Sequence, residues 1–208
     1  KLSNQLRHQA SHDPLTQLIN RLEFEQLLTQ HIKAIDYATE HVLLYLDLDQ
    51  FKVVNDTSGH TAGDSLLIQV ATMLRQIVRE SDIVARLGGD EFAIYLPKCS
   101  ESQGVEIAEK VRSAVSEFVF VWGEKHFRLG VSIGVVPLNM PYVSYGEVMQ
   151  SADLSCYAAK DMGRNRIHIY REKDKDLVKR YGEMKWVGLI PDGITENSFS
   201  LYAQEIMP

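Results

Sequence analysis

The chain lacks most of the features that mark specialised protein classes, and each shortage removes a possibility. Cysteine occurs only twice in 208 residues, at Cys99 and Cys156. Two thiols so far apart give neither a metal-type spacing nor a disulfide framework, so a reduced, cytoplasmic chain is the expectation. No apolar run approaches the roughly 18–20 residues of a membrane span, and no signal peptide opens the sequence. Positive charge is also short: 22 Lys and Arg against 28 Asp and Glu leave a formal net charge of -6. That balance gives no general electrostatic footprint for DNA or RNA. A polyanionic nucleotide can still bind if metal ions or a few well-placed cations offset its phosphates. Methionine is missing from the first position, where Lys1 stands. The chain therefore reads as a piece of a longer protein, whose other parts could carry a membrane anchor. Internal repeats and low-complexity stretches are absent too.

What is present is an ordinary globular balance, 45% hydrophobic and 24% charged, suited to one substantial domain. Residues 2–35 read as helix broken near Asp13-Pro14, since proline disfavours helix just before it and suits a fresh start. Leu15, Leu18, Ile19, Leu22, Leu27 and Leu28 then follow at helical spacing. Residues 42–48 (VLLYLDL) form a short apolar run with a β-branched start, a buried strand. A brief helical patch and a turn-rich stretch at 55–59 (NDTSG) precede an amphipathic helix over 62–79. Two apolar runs, 83–87 and 91–96, bracket Gly88-Gly89-Asp90 as a tight hairpin. A helix over 102–118, a strand over 126–137, a helix over 145–162 stopped by Gly163 and a strand over 166–170 follow. Mixed elements without a strict βαβ repeat predict an α+β fold, one sheet with helices packed on it. After Tyr170 the composition shifts. Residues 171–180 (REKDKDLVKR) read as a charge-dense linker or solvated helix, and 185–208 hold too few apolar groups for a core of their own.

Two stretches carry the chemistry. In DLDQFK, at 47–52, a carboxylate at a strand's carboxyl end points into a crevice, and the amides of Gln50 and Phe51 could meet phosphates. Equally, Asp47 and Asp49 could do no more than cap a turn. In GGDEF, at 88–92, the paired carboxylates Asp90 and Glu91 could share divalent cations with Asp47. Magnesium takes hard oxygen ligands and leaves room for substrate phosphates. Two such ions about 3.5–4 Å apart activate an attacking hydroxyl and stabilise a leaving oxygen. An ordinary Gly-Gly hairpin with a solvated acidic edge is the competing reading. His8 and His12, four apart on a predicted helix, have a zinc-compatible spacing but no third ligand, so solvent-facing histidines are the simpler reading.

LDLDQFKVVND, GHTAGD, RLGGDEF, VSIGV and ADLSCYAAKDMGRN occur in that order, and together they resemble the GGDEF family of diguanylate cyclases over residues 11–170. The resemblance implies a fold similar to nucleotidyl cyclases and polymerase palm domains, with a central, mostly antiparallel sheet flanked by helices. It implies an enzyme that condenses two GTP into cyclic di-GMP and pyrophosphate between facing protomers of a homodimer. It also implies two Mg2+ (or Mn2+) per active site, held by Asp47, Asp90 and the Leu48 carbonyl. Asp90 would double as base for the ribose 3′-hydroxyl, with Glu91 assisting at the metals. Asn55 and Asp64 match positions that read the guanine edge, and His60 shares their block. Lys52, Lys160 and Arg164 match cationic contacts to the triphosphate, beside Gln50, Phe51, Gly88 and Gly89. Plainer readings stand next to these: Asn55-Asp56 is a good turn former, His60 could be a surface histidine, and Lys160 could snorkel from its helix.

RESD at 79–82, with five residues between it and Gly88, matches the family's RxxD inhibitory site. There Arg79 and Asp82 would grip the product, cyclic di-GMP, as a feedback inhibitor; a helix-ending arginine with a nearby cap is the alternative. The chain departs from the family at Gln17, where glycine is usual, which is expected to shift the hinge into the domain. It departs again at Leu87, where an aromatic is frequent. The closing FSLYAQEIMP, with Trp186 and Gly193-Ile194 before it, is similar to the opening strand of an EAL phosphodiesterase domain, cut before any EAL signature. The expected organisation is an input-helix end at 1–12, the GGDEF domain at 13–171, a linker at 172–184 and the start of an EAL-like domain at 185–208. A rival expectation is a catalytically silent domain that binds GTP or cyclic di-GMP and regulates that downstream EAL partner.

Overall fold

The apolar run at 42–48 becomes the middle strand of a five-stranded sheet in the computed structural model, which describes residues 10–34, 39–138, 144–171 and 174. The expected linker at 172–184, Asp174 apart, and the EAL-like start at 185–208 lie outside the described residues, as does His8. In chain order the elements are α1 (Arg21–Ala34), β1 (Val42–Asp49), α2 (Phe51–Ser58), α3 (His60–Ile77), β2 (Ile83–Gly88), β3 (Glu91–Leu96), α4 (Glu101–Glu117), β4 (Val119–Trp122), β5 (Lys125–Arg128), β6 (Gly130–Pro137), α5 (Tyr145–Asp161) and β7 (Ile167–Ile169). The sheet order is β2-β3-β1-β6-β7, antiparallel except for the β6–β7 pair. This is the mostly antiparallel α+β architecture that the sequence predicts.

β1 is covered on both faces, which is why it reads as a continuous apolar run rather than an alternating one. Its even-numbered residues Val42, Leu44, Leu46 and Leu48 join the main core with Leu66 and Val70 of α3 and Val111 of α4. With a side-chain period of two, the odd-numbered Leu43, Tyr45, Asp47 and Asp49 turn to the other face, where α5 lies. The approach of α5 is close: a Cβ on Gly134, the β6 partner of Tyr45, would lie 2.5 Å from the Ala152 carbonyl oxygen. Glycine there lets the helix down onto the sheet. α4 starts on a capping box, with the Ser100 hydroxyl accepting from the Gln103 amide and the Gln103 side chain returning to the Ser100 amide.

Three readings of the sequence are corrected. Residues 13–20 are a turn rather than a helical start. The Asp13 carboxylate accepts from the Thr16 amide at 2.8 Å and the Thr16 hydroxyl at 2.7 Å. Leu18 is fully buried, and Ile19 bridges to Ala85, so a local side-chain bond and an edge contact outweigh helical spacing. Gln17 sits at φ 58°, a left-handed position that glycine takes up more readily than a residue with a side chain. Residues 55–58 belong to α2, and the turn is confined to Gly59 at φ 81°. The strand expected at 126–137 is two elements: β5 pairs with β4 in a separate two-stranded sheet, and β6 enters the main one.

Candidate active site

The end of β1 and the tip of the β2–β3 hairpin meet. Asp47 stands opposite Glu91 across the β1–β3 ladder. Gly88 (φ 147°) and Gly89 (φ 50°) close the turn and bring Asp90 beside Leu48, whose amide donates to the Asp90 carbonyl at 3.3 Å. A strand residue points its N–H and C=O to the same neighbour, so the Leu48 carbonyl faces the tip as well. Arg86 clamps the turn from its other side. Its Nε and Nη2 donate to the Gly89 carbonyl at 3.1 and 2.9 Å, and its Nη1 meets Asp13 Oδ1 at 3.1 Å. Burial pushes the Asp13 carboxyl up, but Thr16 and Arg86 outweigh it and hold it below the usual carboxylate range. Neither Asp13 nor Arg86 was legible as a site support, because their pairing spans 73 positions.

Asp47 pairs with one ammonium, whose charge Asp90 also feels. Lys160, in the last turn of α5, places Nζ 2.6 Å from Asp47 Oδ2. Burial pushes Asp47 up to about 6, with Lys160 pulling down and Asp90 and Glu91 pushing up. Burial works against the Lys160 charge, yet the Asp47 carboxylate outweighs it and keeps the lysine protonated. The Tyr45 hydroxyl is raised chiefly by burial, and the Glu91 carboxylate near it adds to the rise. The acidic charge thus exceeds what Lys160 neutralises, and the excess sits on hard oxygen atoms. Among the described residues no three His, Cys, Asp or Glu side chains form a ready-made metal cage. Two carboxylates and a backbone carbonyl are the sparse protein share that magnesium takes when phosphates supply the rest, so the donor set fits that ion.

The remaining candidates lie on the elements that follow β1. α2 opens directly after the strand, with Gln50 at φ 63° in its N-cap position, no side-chain cap and no acidic residue in its first turn. Its first amides, at Phe51 and Lys52, are therefore unclaimed by a capping carboxylate. Lys52 is exposed. Asn55, further along α2, lies against α3 so closely that a Cβ on Gly63 would fall 2.0 Å from its Oδ1. Asp64 is the next residue, and Asp64 and His60 are exposed on the first turns of α3. Arg164 is exposed on the α5–β7 loop at φ 61°. Asp49 behaves otherwise: it is 5% exposed and bonded within the chain, so of the two acidic residues ending β1 only Asp47 is open to a ligand.

Arg79 and Asp82 line a separate cavity of about 560 Å³, together with Arg75, Ile19 and Val84. Asp82 Oδ2 already accepts from the Arg79 amide at 2.8 Å, the capping role that the sequence left open. A carboxylate has further lone pairs, so this bond does not prevent it from accepting from a ligand.

The family pattern described as "Diguanylate cyclase, GGDEF domain" matches residues 10–166. The chain is 42% identical over 171 residues to the probable diguanylate cyclase DgcE of Escherichia coli, covering 82% of this chain and 16% of that protein. It is 37% identical over 205 residues to the cyclic di-GMP phosphodiesterase PdeB of Shewanella oneidensis, covering 99% of this chain and 24% of that protein. It therefore spans a quarter or less of the length of these two relatives. Among solved structures, the coiled coil and GGDEF domain of DgcB from Caulobacter crescentus, crystallised with c-di-GMP, superposes with a TM-score of 0.75 at 32% identity, covering 81% of this chain and 90% of that one.

Proposed function

The chain belongs to the GGDEF diguanylate cyclase family, and from that premise we propose that it condenses two GTP into cyclic di-GMP and two pyrophosphates. The observation that carries the reading is the meeting of Asp47 with the Asp90–Glu91 tip at the end of β1. Asp47, Asp90 and the Leu48 carbonyl would hold divalent magnesium or manganese ions, which when bound would polarise the phosphates and the attacking hydroxyl. The chain's own residues do the rest. The amides of Gln50 and Phe51, with Lys52 and Arg164, bind the triphosphate, and Gly88 and Gly89 let the backbone come close to it. Asn55 and Asp64 read the guanine edge, where a carboxylate suits the N1–H and N2–H donors, and His60 borders that site. Lys160 tempers the charge on Asp47.

One site binds one nucleotide while the product joins two, so the reaction runs between facing protomers. The 3′-hydroxyl of one GTP loses its proton to Asp90, assisted by Glu91. It attacks the α-phosphate of the other GTP, and the bond to pyrophosphate breaks. A second, reciprocal attack closes the ring and releases the second pyrophosphate. Catalysis is mostly positioning and charge stabilisation. Arg79 and Asp82 would bind the product away from the site and restrain turnover.

The similarity to a cyclic di-GMP phosphodiesterase over 99% of the chain favours one second reading, a silent nucleotide-binding domain that regulates a downstream EAL domain. Incubating a dimerised form with GTP and magnesium, then separating products by chromatography, decides between them. Cyclic di-GMP is expected from the parent and none from Asp90→Ala, whose fold should persist. Product from Asp90→Ala at the parent rate would refute the assignment, and a parent that only binds GTP would favour the regulatory reading.

A further inference from the structure

β1 ends on two acidic residues of the same facing, and the chemistry proposed above uses only Asp47. Asp49 is 5% exposed. Ser132 Oγ donates to its Oδ1 at 2.8 Å, and the backbone N–H of Asn165 donates to its Oδ2 at 2.8 Å. The second bond joins positions 116 apart in the sequence and ties the end of the central strand to the loop between α5 and β7. That loop passes through two consecutive left-handed residues, Arg164 at φ 61° and Asn165 at φ 44°. Asparagine visits this region readily and arginine does not, so the turn needs an outside hold. The N–H groups of Gly163 and Arg164 fold back onto the Lys160 and Ala159 carbonyls at 3.1 Å each, which ties the loop to the end of α5. The Arg166 carbonyl accepts from the Ile133 amide of β6 at 2.9 Å, and among the described residues only the Asp49 bond ties the loop's backbone to the strand that carries Asp47. The fit there is tight: a Cβ on Gly130, the β6 partner of Asp49, would lie 2.9 Å from Asp49 Oδ2 and 2.8 Å from Asn165 Cβ.

We propose that Asp49 is a positioning residue, whose buried carboxylate holds the Arg164–Asn165 turn so that the Arg164 guanidinium meets the triphosphate. Asp49 touches neither nucleotide nor metal; it acts through the loop. The inference rests on the cyclase reading for its ligand, and on the two hydrogen bonds for its geometry. Replacing Asp49 with asparagine keeps the shape but turns an NH2 toward one of the two donors, so the hold weakens without opening a cavity.

The test compares the parent with Asp49→Asn, Arg164→Ala and the double variant in steady-state turnover of GTP with magnesium. It adds hydrogen exchange at the Asn165 amide in the parent, Asp49→Asn and Asp49→Ala. Asp49→Asn is expected to raise KM for GTP about tenfold with kcat within about threefold, as a lost substrate contact does. The double variant is expected to add little to Arg164→Ala, because both act on one contact. Exchange at Asn165 should quicken about tenfold or more in both Asp49 variants; if Asp49→Ala fails to fold, Asp49→Asn decides. A fall in kcat at constant KM, effects that multiply in the double variant, or unchanged Asn165 exchange would overturn the proposal. A parent that turns over no GTP would instead contradict the cyclase reading, and the exchange measurement would still decide whether Asp49 holds the loop.

Discussion

At the scale of single residues, Asp47 is caught between two demands. Its carboxyl titrates at about 6 in the fold against an ordinary 3.8, chiefly because it is buried and partly because Asp90 and Glu91 stand near. A raised folded value means that the native chain holds the proton more tightly than the unfolded one. The contribution of this group to stability is therefore full below about pH 4 and declines as pH rises from there to about 6. Metal binding needs the opposite state, because only the carboxylate is a ligand for a hard cation. Two results are expected from thermal unfolding and GTP turnover between pH 4.5 and 8. The stability of metal-free Asp47→Asn relative to the parent should rise with pH up to about 6 and then level off. Parent turnover at subsaturating GTP and magnesium should fall below about pH 6, as protons compete with the metal for Asp47. A stability difference that is flat with pH would remove the account of Asp47.

At the scale of elements, α2 and α3 show how a substitution that helps a helix can harm the site. Replacing a helical glycine with alanine ordinarily gains about 1 kcal/mol. At Gly63 the new Cβ would fall 2.0 Å from Asn55 Oδ1, so Asn55 must move. Gly63→Ala is expected to cost about 1–3 kcal/mol of stability, as overpacking does, and to weaken GTP binding several-fold by calorimetry; a more stable variant with unchanged affinity would contradict the guanine-edge role of Asn55. The sequence made β1, the hairpin and the three longest helices legible, because their apolar runs and glycines act locally. It did not show that Asn55 is helical, that Asp13 bends the chain through Thr16, or that β4 and β5 stand apart. Each of those depends on a neighbour that periodicity does not see. The same holds within the site: Asp47 and Asp90 could be read from their places on a strand end and a turn. The Asp49–Asn165 bond spans 116 positions and leaves no local mark.

At the scale of the whole molecule, the Arg79–Asp82 cavity is built from the end of α3, the loop after it and the start of β2, and β2 leads directly into the hairpin whose tip carries Asp90. Arg79→Ala should weaken cyclic di-GMP binding about tenfold or more, the value of a charge-assisted fork on a phosphate, while GTP turnover without added product stays as in the parent. Equal product affinity by calorimetry would remove the feedback role. Every part of the account returns to one junction, where an acidic strand end and a glycine turn share an excess of negative charge that a single lysine does not cancel. Manganese taken up in the presence of a non-hydrolysable GTP analogue, counted by the loss of the free-ion paramagnetic resonance signal, tests that junction most directly. The parent should take up two ions per protomer, and Asp47→Asn and Asp90→Ala should bind them at least about tenfold more weakly. Uptake that is the same in all three proteins would contradict the account.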